Sequence, residues 1–256
     1  MRTMRDILNG GDSALGTVIQ SGSEAVVEGF GCAGFDFVIL DMEHGSQDIA
    51  KIESLARAAE VRDLPKMVRV WGGDKSIVAK AVDIGAQGLV FPSVDSREEA
   101  EELVSWAKLP PYGNRGVCPV TRSGDYFKMP LNTYTKRTND VVIVVYIETE
   151  EGMSNLTDIV SVPGIDVVMV GSLDLAVSMQ LDMEVWPPPE IEVAKGQVAD
   201  AAKAANVVLM EFVTSDGEIA DSFGRGAQLV LYGTDTSIVT DACSDIVASY
   251  QGVVGN

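Results

Sequence analysis

Val141-Val142-Ile143-Val144-Val145-Tyr146-Ile147 is an unbroken apolar and aromatic run, closed by Glu148-Thr149-Glu150. A strand with one wet face alternates apolar and polar residues; a continuous β-branched run suits a parallel strand covered on both faces. Shorter runs of the same kind lie on either side. Upstream are Leu15 to Ile19, Phe35 to Leu40, Lys66 to Val70 and Gly88 to Phe91; downstream are Asp166 to Val170, Val207 to Val213 and Gln228 to Leu231, making eight. Between them, Asp48 to Glu60, Asp74 to Ile84, Ser96 to Ala107 and Ile191 to Ala205 carry apolar residues at helical spacing. Several of these open on an Asp or Ser suited to the N-cap, and Gly85 and Gly226 are suited to stop helices. Repeated βα units in 256 residues predict an α/β fold, a (β/α)8 TIM barrel forming a single domain over residues 1–256. An open doubly wound sheet is the alternative. Its phosphate-binding G-x-G-x-x-G is missing from the first βα turn, Gln20-Ser21-Gly22-Ser23.

Two segments interrupt the rhythm. Pro110 to Asn139 is rich in Gly, Pro, Arg, Ser and Thr without a clear strand, a length that points to a functional or interfacial loop. Trp186-Pro187-Pro188-Pro189 reads as a long loop after strand six.

Hydrophobic residues make up 46% of the chain and charged residues 22%, which excludes disorder. A net charge of −19 argues against nucleic acid, whose phosphates require clustered Lys and Arg. It also means that an anionic substrate must be received by a local cation, either a metal ion or a particular Arg. Neither a signal-type apolar segment at the start nor a membrane-length apolar run occurs, so a soluble cytoplasmic protein is expected. Cys32, Cys118 and Cys243 are too scattered for a disulfide framework and are expected to be reduced, with Cys118 a bystander.

Barrel active sites lie at the C-terminal ends of the strands, so polar residues closing an apolar strand are the candidates. Strand two ends Asp41-Met42-Glu43-His44-Gly45, with the only histidine, His44, beside two carboxylates; as a group that titrates near neutrality it suits a general acid or base. Strand three ends Val68-Arg69-Val70; Arg69 is either an internal ion pair or a clamp for a carboxylate or oxyanion. Glu148, after strand five, and Asp174, after strand six, are one βα unit apart. They form either a hard oxygen site for Mg²⁺ or Mn²⁺ or a pair of caps and ion pairs.

Taken together, Asp41-Met42-Glu43-His44-Gly45, Val68-Arg69-Val70, Gly85-Ala86-Gln87-Gly88-Leu89-Val90-Phe91-Pro92, Pro110-Pro111-Tyr112-Gly113-Asn114-Arg115-Gly116, Ile147-Glu148-Thr149 and Gly171-Ser172-Leu173-Asp174-Leu175 follow one order and spacing. In that order the chain resembles the HpcH/HpaI aldolases, class II pyruvate aldolases, over almost its whole length. The resemblance implies a divalent metal, Mg²⁺ or Mn²⁺ with Co²⁺ also possible, on Glu148 and Asp174. The substrates implied are a 2-oxo acid and an aldehyde, joined to or released from a 4-hydroxy-2-oxo acid. It further implies that Arg69 steadies the enolate, that His44 moves the proton of the aldol hydroxyl, and that Asp41 and Asp83 orient His44. The backbone around Gly171, Ser172, Leu173 and Asp174 would hold the substrate carboxylate, with Tyr146 on the substrate side. It implies a homo-oligomer, a trimer or hexamer, with the Pro110 to Asn139 region near the site and subunit contacts.

Departures from the family pattern gather near the expected pocket. Val18 stands where Trp is common, Tyr146 where Gln is, Ser172 where Pro is, and Met210-Glu211 where a Gly and an apolar residue are usual. Glu211, a carboxylate in an apolar strand, is read as the partner of a barrel Arg. These changes keep two further readings open: a citrate-synthase-like enzyme or acyl-CoA adduct lyase, and a non-catalytic oxoacid-binding protein.

Overall fold

The computed structural model describes residues 2–71 and 74–254. The chain runs α1 (Met4–Gly10), β1 (Ala14–Ile19), α2 (Glu24–Ala33), β2 (Phe37–Asp41), α3 (Ile49–Val61), β3 (Lys66–Arg69), α4 (Lys75–Asp83), β4 (Gly88–Phe91) and α5 (Arg97–Ala107). After a 3-10 turn (Arg122–Phe127) follow α6 (Leu131–Asn139), β5 (Val142–Ile147), α7 (Glu150–Ser154), α8 (Leu156–Val160), β6 (Val167–Val170) and α9 (Ser172–Ser178). The last elements are α10 (Pro189–Ala205), β7 (Val208–Val213), α11 (Asp216–Gly224), β8 (Leu229–Thr234) and α12 (Asp235–Val254). All eight strands are parallel and close into a barrel in sequence order, as the repetition of apolar runs predicts. The chain is a single TIM-barrel domain.

Alternation within each run sorts the side chains into two cores. Ala14, Val18, Phe37, Ile39, Met67, Val90, Val142, Val144, Tyr146, Met169, Met210 and Leu231 fill the interior, plugged from below by Met4 and Ile7 of α1. The residues between them, such as Val38, Leu40, Val68, Ile143, Val145, Ile147 and Val168, pack outward against the helices. Both faces are dry, which is why the runs are continuous. Ser23, Asp48, Asp74 and Ser96 cap α2 to α5, each accepting from a backbone amide one turn in. Gly85 and Gly226 follow α4 and α11 at φ of 98° and 92°, the left-handed conformation that ends a helix cheaply only with glycine.

The interval Pro110 to Asn139 does contain regular structure: the 3-10 turn and α6. It lies between the C-terminus of α5 and the start of β5, which places it at the N-terminal end of the barrel, away from the strand ends that carry sites. There Arg122 pairs with Glu60, and Arg115 is buried with its Nε donating to the Ala107 carbonyl at 2.9 Å. Cys118 is exposed and free. Trp186 to Pro188 form the loop into α10, where Pro189 takes the first turn.

Candidate active site

A cavity of about 370 Å³ opens at the C-terminal ends of the strands, lined among others by His44, Arg69, Tyr146, Glu148, Gly171 and Asp174. Register explains how two of its residues meet. Asp41 and Arg69 are paired positions at the ends of β2 and β3, and Arg69 Nε and Nη2 grip the two oxygens of buried Asp41 at 2.8 and 2.6 Å. Gln20 Nε2 donates to Asp41 Oδ2 at 3.0 Å, and Asp41 Oδ1 accepts the amides of Glu43 and His44 at 3.0 and 3.4 Å. Burial opposes the charge on both members of the pair, but their contact outweighs it: the carboxyl of Asp41 is held below, and the guanidinium of Arg69 above, its ordinary value. Arg69 also reaches Glu43 Oε2 at 3.1 Å through Nη1. It is therefore a fixed cation at the mouth, held between Asp41 and Glu43.

His44 stands in the loop after β2 with its side chain 59% exposed, Nε2 lying 3.7 Å from Glu43 Oε2. Asp41 fixes the turn that carries His44, and Glu43 is the carboxylate facing the ring. Asp83 is not brought to this site. It closes α4, at the opposite end of the barrel, where it accepts from Thr121 Oγ1 at 3.3 Å and lies 4.0 Å from Arg115. A helix returning from a strand end carries its last residue back to the strand starts, so no role beside His44 of the same chain is open to Asp83.

Glu148 follows β5 and is buried. Ser93, after β4, donates both its amide and its hydroxyl to Glu148 Oε2 at 2.8 Å. Ser93 holds φ at 49°, a conformation non-glycine residues adopt at some expense and typically at functional positions. Its assignment escaped the sequence reading because only Pro92 marks the turn. Burial and the neighbouring Asp174 push the carboxyl of Glu148 up, Ser93 offsetting part of this. Gly171 is required beside it: a Cβ there would stand 2.2 Å from Glu148 Oε1 and 2.3 Å from its Cγ. Asp174 lies in the first turn of α9, whose N-cap Gly171 supplies no capping side chain. Tyr146, inside the barrel below Arg69, is buried, and burial pushes its phenol above the ordinary range, so it stays neutral.

The donor set fits a hard divalent cation. Glu148 and Asp174 supply carboxylate oxygens, the described hydrogen bonds to Glu148 fall on Oε2 alone, and the bare Gly171 leaves room around Oε1. No cluster of three or more His, Cys, Asp or Glu suited to a metal ion occurs among the described residues, so water or substrate oxygens must complete any shell, as Mg²⁺ commonly tolerates. Gly171→Ala is expected to lower kcat/KM at least ~100-fold through displacement of Glu148, with a far-ultraviolet circular dichroism spectrum unchanged. A variant with near-normal turnover would show that the Glu148 position is not critical.

Glu211 is ion-paired, but not inside the barrel. It faces outward from β7 and is held by Arg225, at the end of α11, through Nε at 2.7 Å and Nη2 at 2.6 Å. Met210 is the inward neighbour that fills the interior.

A closed parallel barrel with an Arg, a His and two carboxylates converging at the C-terminal strand ends defines an enzyme of the TIM-barrel class. The model of the HpcH/HpaI aldolase/citrate lyase family matches residues 16–242, and the chain belongs to that family of carbon–carbon lyases. It is 28% identical to a hydroxypyruvate/pyruvate aldolase of Roseobacter denitrificans, with 98% of each chain covered. It is also 28% identical to a 2-keto-3-deoxy-L-rhamnonate aldolase of Escherichia coli, over 96% of this chain and 92% of that one. Among solved structures, an HpcH/HpaI aldolase from Desulfitobacterium hafniense superposes with a TM-score of 0.91 at 27% identity, covering 98% and 97% of the two chains.

Proposed function

We propose that this protein is a divalent-metal-dependent aldolase that joins a pyruvate-like 2-oxo acid to an aldehyde, or splits the resulting 4-hydroxy-2-oxo acid. The observation carrying this is the placement of the Arg69 cation and the Glu148 and Asp174 carboxylates around one cavity. Glu148 and Asp174 would hold Mg²⁺ or Mn²⁺, which when bound supplies Lewis-acid polarisation of the 2-oxo group. Arg69, kept charged and oriented by Asp41, lies where it stabilises negative charge growing on the oxo oxygen. The exposed His44, with Glu43 beside its ring, gives or takes the proton of the aldol hydroxyl. The amides of Ser172, Leu173 and Asp174, in the first turn of α9, receive the substrate carboxylate.

Proton NMR of pyruvate in D₂O, with enzyme and Mg²⁺, is expected to show loss of the methyl signal and arrest by EDTA. Condensation or cleavage with a panel of aldehydes and 4-hydroxy-2-oxo acids completes the test; silence in both assays discards the reading.

The enzyme is further proposed to work as a cytoplasmic homo-oligomer. From Val239 to Val254 every residue of α12 is exposed, including Val239, Ile246, Val247, Tyr250 and Val253. An unsupported helix of this length is marginal in water, and a second copy of the chain would cover it. Light scattering is expected to return a multiple of 27.2 kDa; a monomer at micromolar concentration refutes the oligomer. Three exposed, unbridged cysteines suit a reducing compartment, and no helix among the described residues is long and apolar enough to cross a membrane.

A further inference from the structure

The β6–β7 seam is the loosest in the barrel mouth. Its pairing consists of Val167 with Val208 and Val168 with Leu209, whereas β5 pairs with β6 up to Val170 and β8 with β7 up to Val213. Lys195 enters at this gap. It belongs to α10 in the outer layer, yet its side chain is only 11% exposed and lines the active-site cavity beside Ser172 and Phe212. Its Nζ is held by Glu192 Oε1 at 2.9 Å, while Glu192 Oε2 takes Arg225 Nη1 at 3.3 Å and Arg225 grips Glu211 with two bonds. The otherwise unaccounted carboxylate of β7 thus anchors a chain of ion pairs that ends on a lysine at the cavity wall.

Glu218 lines the same cavity from the first turn of α11. Thr214 donates its amide and, at 3.1 Å, its hydroxyl to Glu218 Oε2. Burial works against the charge on Glu218, but Thr214 and the nearby Lys195 hold the carboxyl below its ordinary range, so it is ionised at neutral pH. The oxo-acid machinery occupies the β2 to β6 side; this ammonium and carboxylate face the space left toward β7 and β8.

We infer that Lys195 and Glu218 form the subsite for the far end of the aldehyde half, and that they select an uncharged, hydroxyl-bearing aldehyde. Hydroxyl groups donate to Glu218 and accept from Lys195. A carboxylate tail would be repelled by Glu218, and a purely apolar tail would strip water from both charges without replacing its hydrogen bonds. The inference rests on the aldolase reading above.

The test pairs glyceraldehyde with propanal, three carbons each, in condensation with pyruvate. The wild-type enzyme is expected to favour glyceraldehyde at least ~10-fold in kcat/KM. Lys195→Met, which keeps the packed stem, and Glu218→Gln, which keeps the Thr214 contact, should each raise KM for glyceraldehyde ~10-fold or more and move propanal less than ~3-fold, the loss expected for a hydrogen bond to a charged group. Glu218→Gln should also improve glyoxylate, the anionic probe. Equal losses for both aldehydes would mark a structural role, and no loss, or a wild-type preference for propanal or glyoxylate, would equally overturn the subsite. Pyruvate methyl exchange by the wild-type enzyme separates the two levels. Exchange without the aldehyde discrimination overturns only the subsite; no exchange and no condensation overturn both.

Discussion

Glu148→Gln is expected to lower kcat/KM at least ~1,000-fold at millimolar Mg²⁺ or Mn²⁺, while the EDTA-treated variant melts at the same temperature as the wild type or higher. The kinetic part follows from losing one of two protein carboxylates for the cation, since Lewis-acid stabilisation is worth several kcal/mol in the transition state and ~4 kcal/mol corresponds to ~1,000-fold. The thermal part follows from the raised carboxyl of Glu148. An acid whose folded-state value lies above its unfolded one binds protons more readily when folded, so the folded state is disfavoured at neutral pH and relieved as pH falls through the folded value. Gln removes that charge and retains an acceptor for Ser93. The difference in melting temperature should therefore be largest near neutrality and shrink on acidification. A metal-free variant clearly less stable than wild type would recast Glu148 as a structural residue.

Arg69→Met is expected to damage both folding and turnover. Asp41 has no solvent exposure and Arg69 is its bidentate partner, so removing the cation strands a buried carboxylate. Breaking such a pair typically costs ~3–5 kcal/mol, or roughly 6–20 °C of melting temperature in a chain of this size. Turnover should fall by ~100-fold or more because Lys195, the other Lys or Arg lining the cavity among the described residues, is tied to Glu192 on the α10 side. Asp41→Asn combined with Arg69→Met separates the two effects, recovering most of the stability and none of the activity. Recovery of both would mean that Arg69 serves only to neutralise Asp41.

Much of this architecture was legible in one dimension. A strand dry on both faces needs uninterrupted apolar residues, so Val141 to Ile147 and its shorter counterparts marked the barrel; the polar residue just past each run marked the mouth. That rule singles out Asp41, His44, Arg69, Glu148 and Asp174 as candidates; the fold sets the last four around one cavity, with Asp41 bound to Arg69. Strand ends differ by one to three residues, as where β8 continues to Thr234 instead of stopping at Leu231. Asp83 does not reach His44 of its own chain for a physical reason: no strand end carries it, and the terminus of α4 lies at the other end of the barrel. Pro110 to Asn139, an αβ connection, likewise lies away from the mouth of its own barrel, so the expected place near a site would have to come through contact between subunits.

What the sequence by itself determined is the fold, the family and the residues at the strand ends, because hydrophobic period and strand-end position are local properties of a chain. Tertiary structure alone decided which carboxylate faces which cation. It carried Asp83 away from His44 of the same chain; it made Ser93 the holder of Glu148; it turned Glu211 outward to Arg225; and it brought Lys195 from an outer helix to the cavity wall beside the β6–β7 gap. The Glu211–Arg225 and Ser93–Glu148 pairings join residues 14 and 55 positions apart through sheet register and helix placement, and no spacing along the chain encodes them.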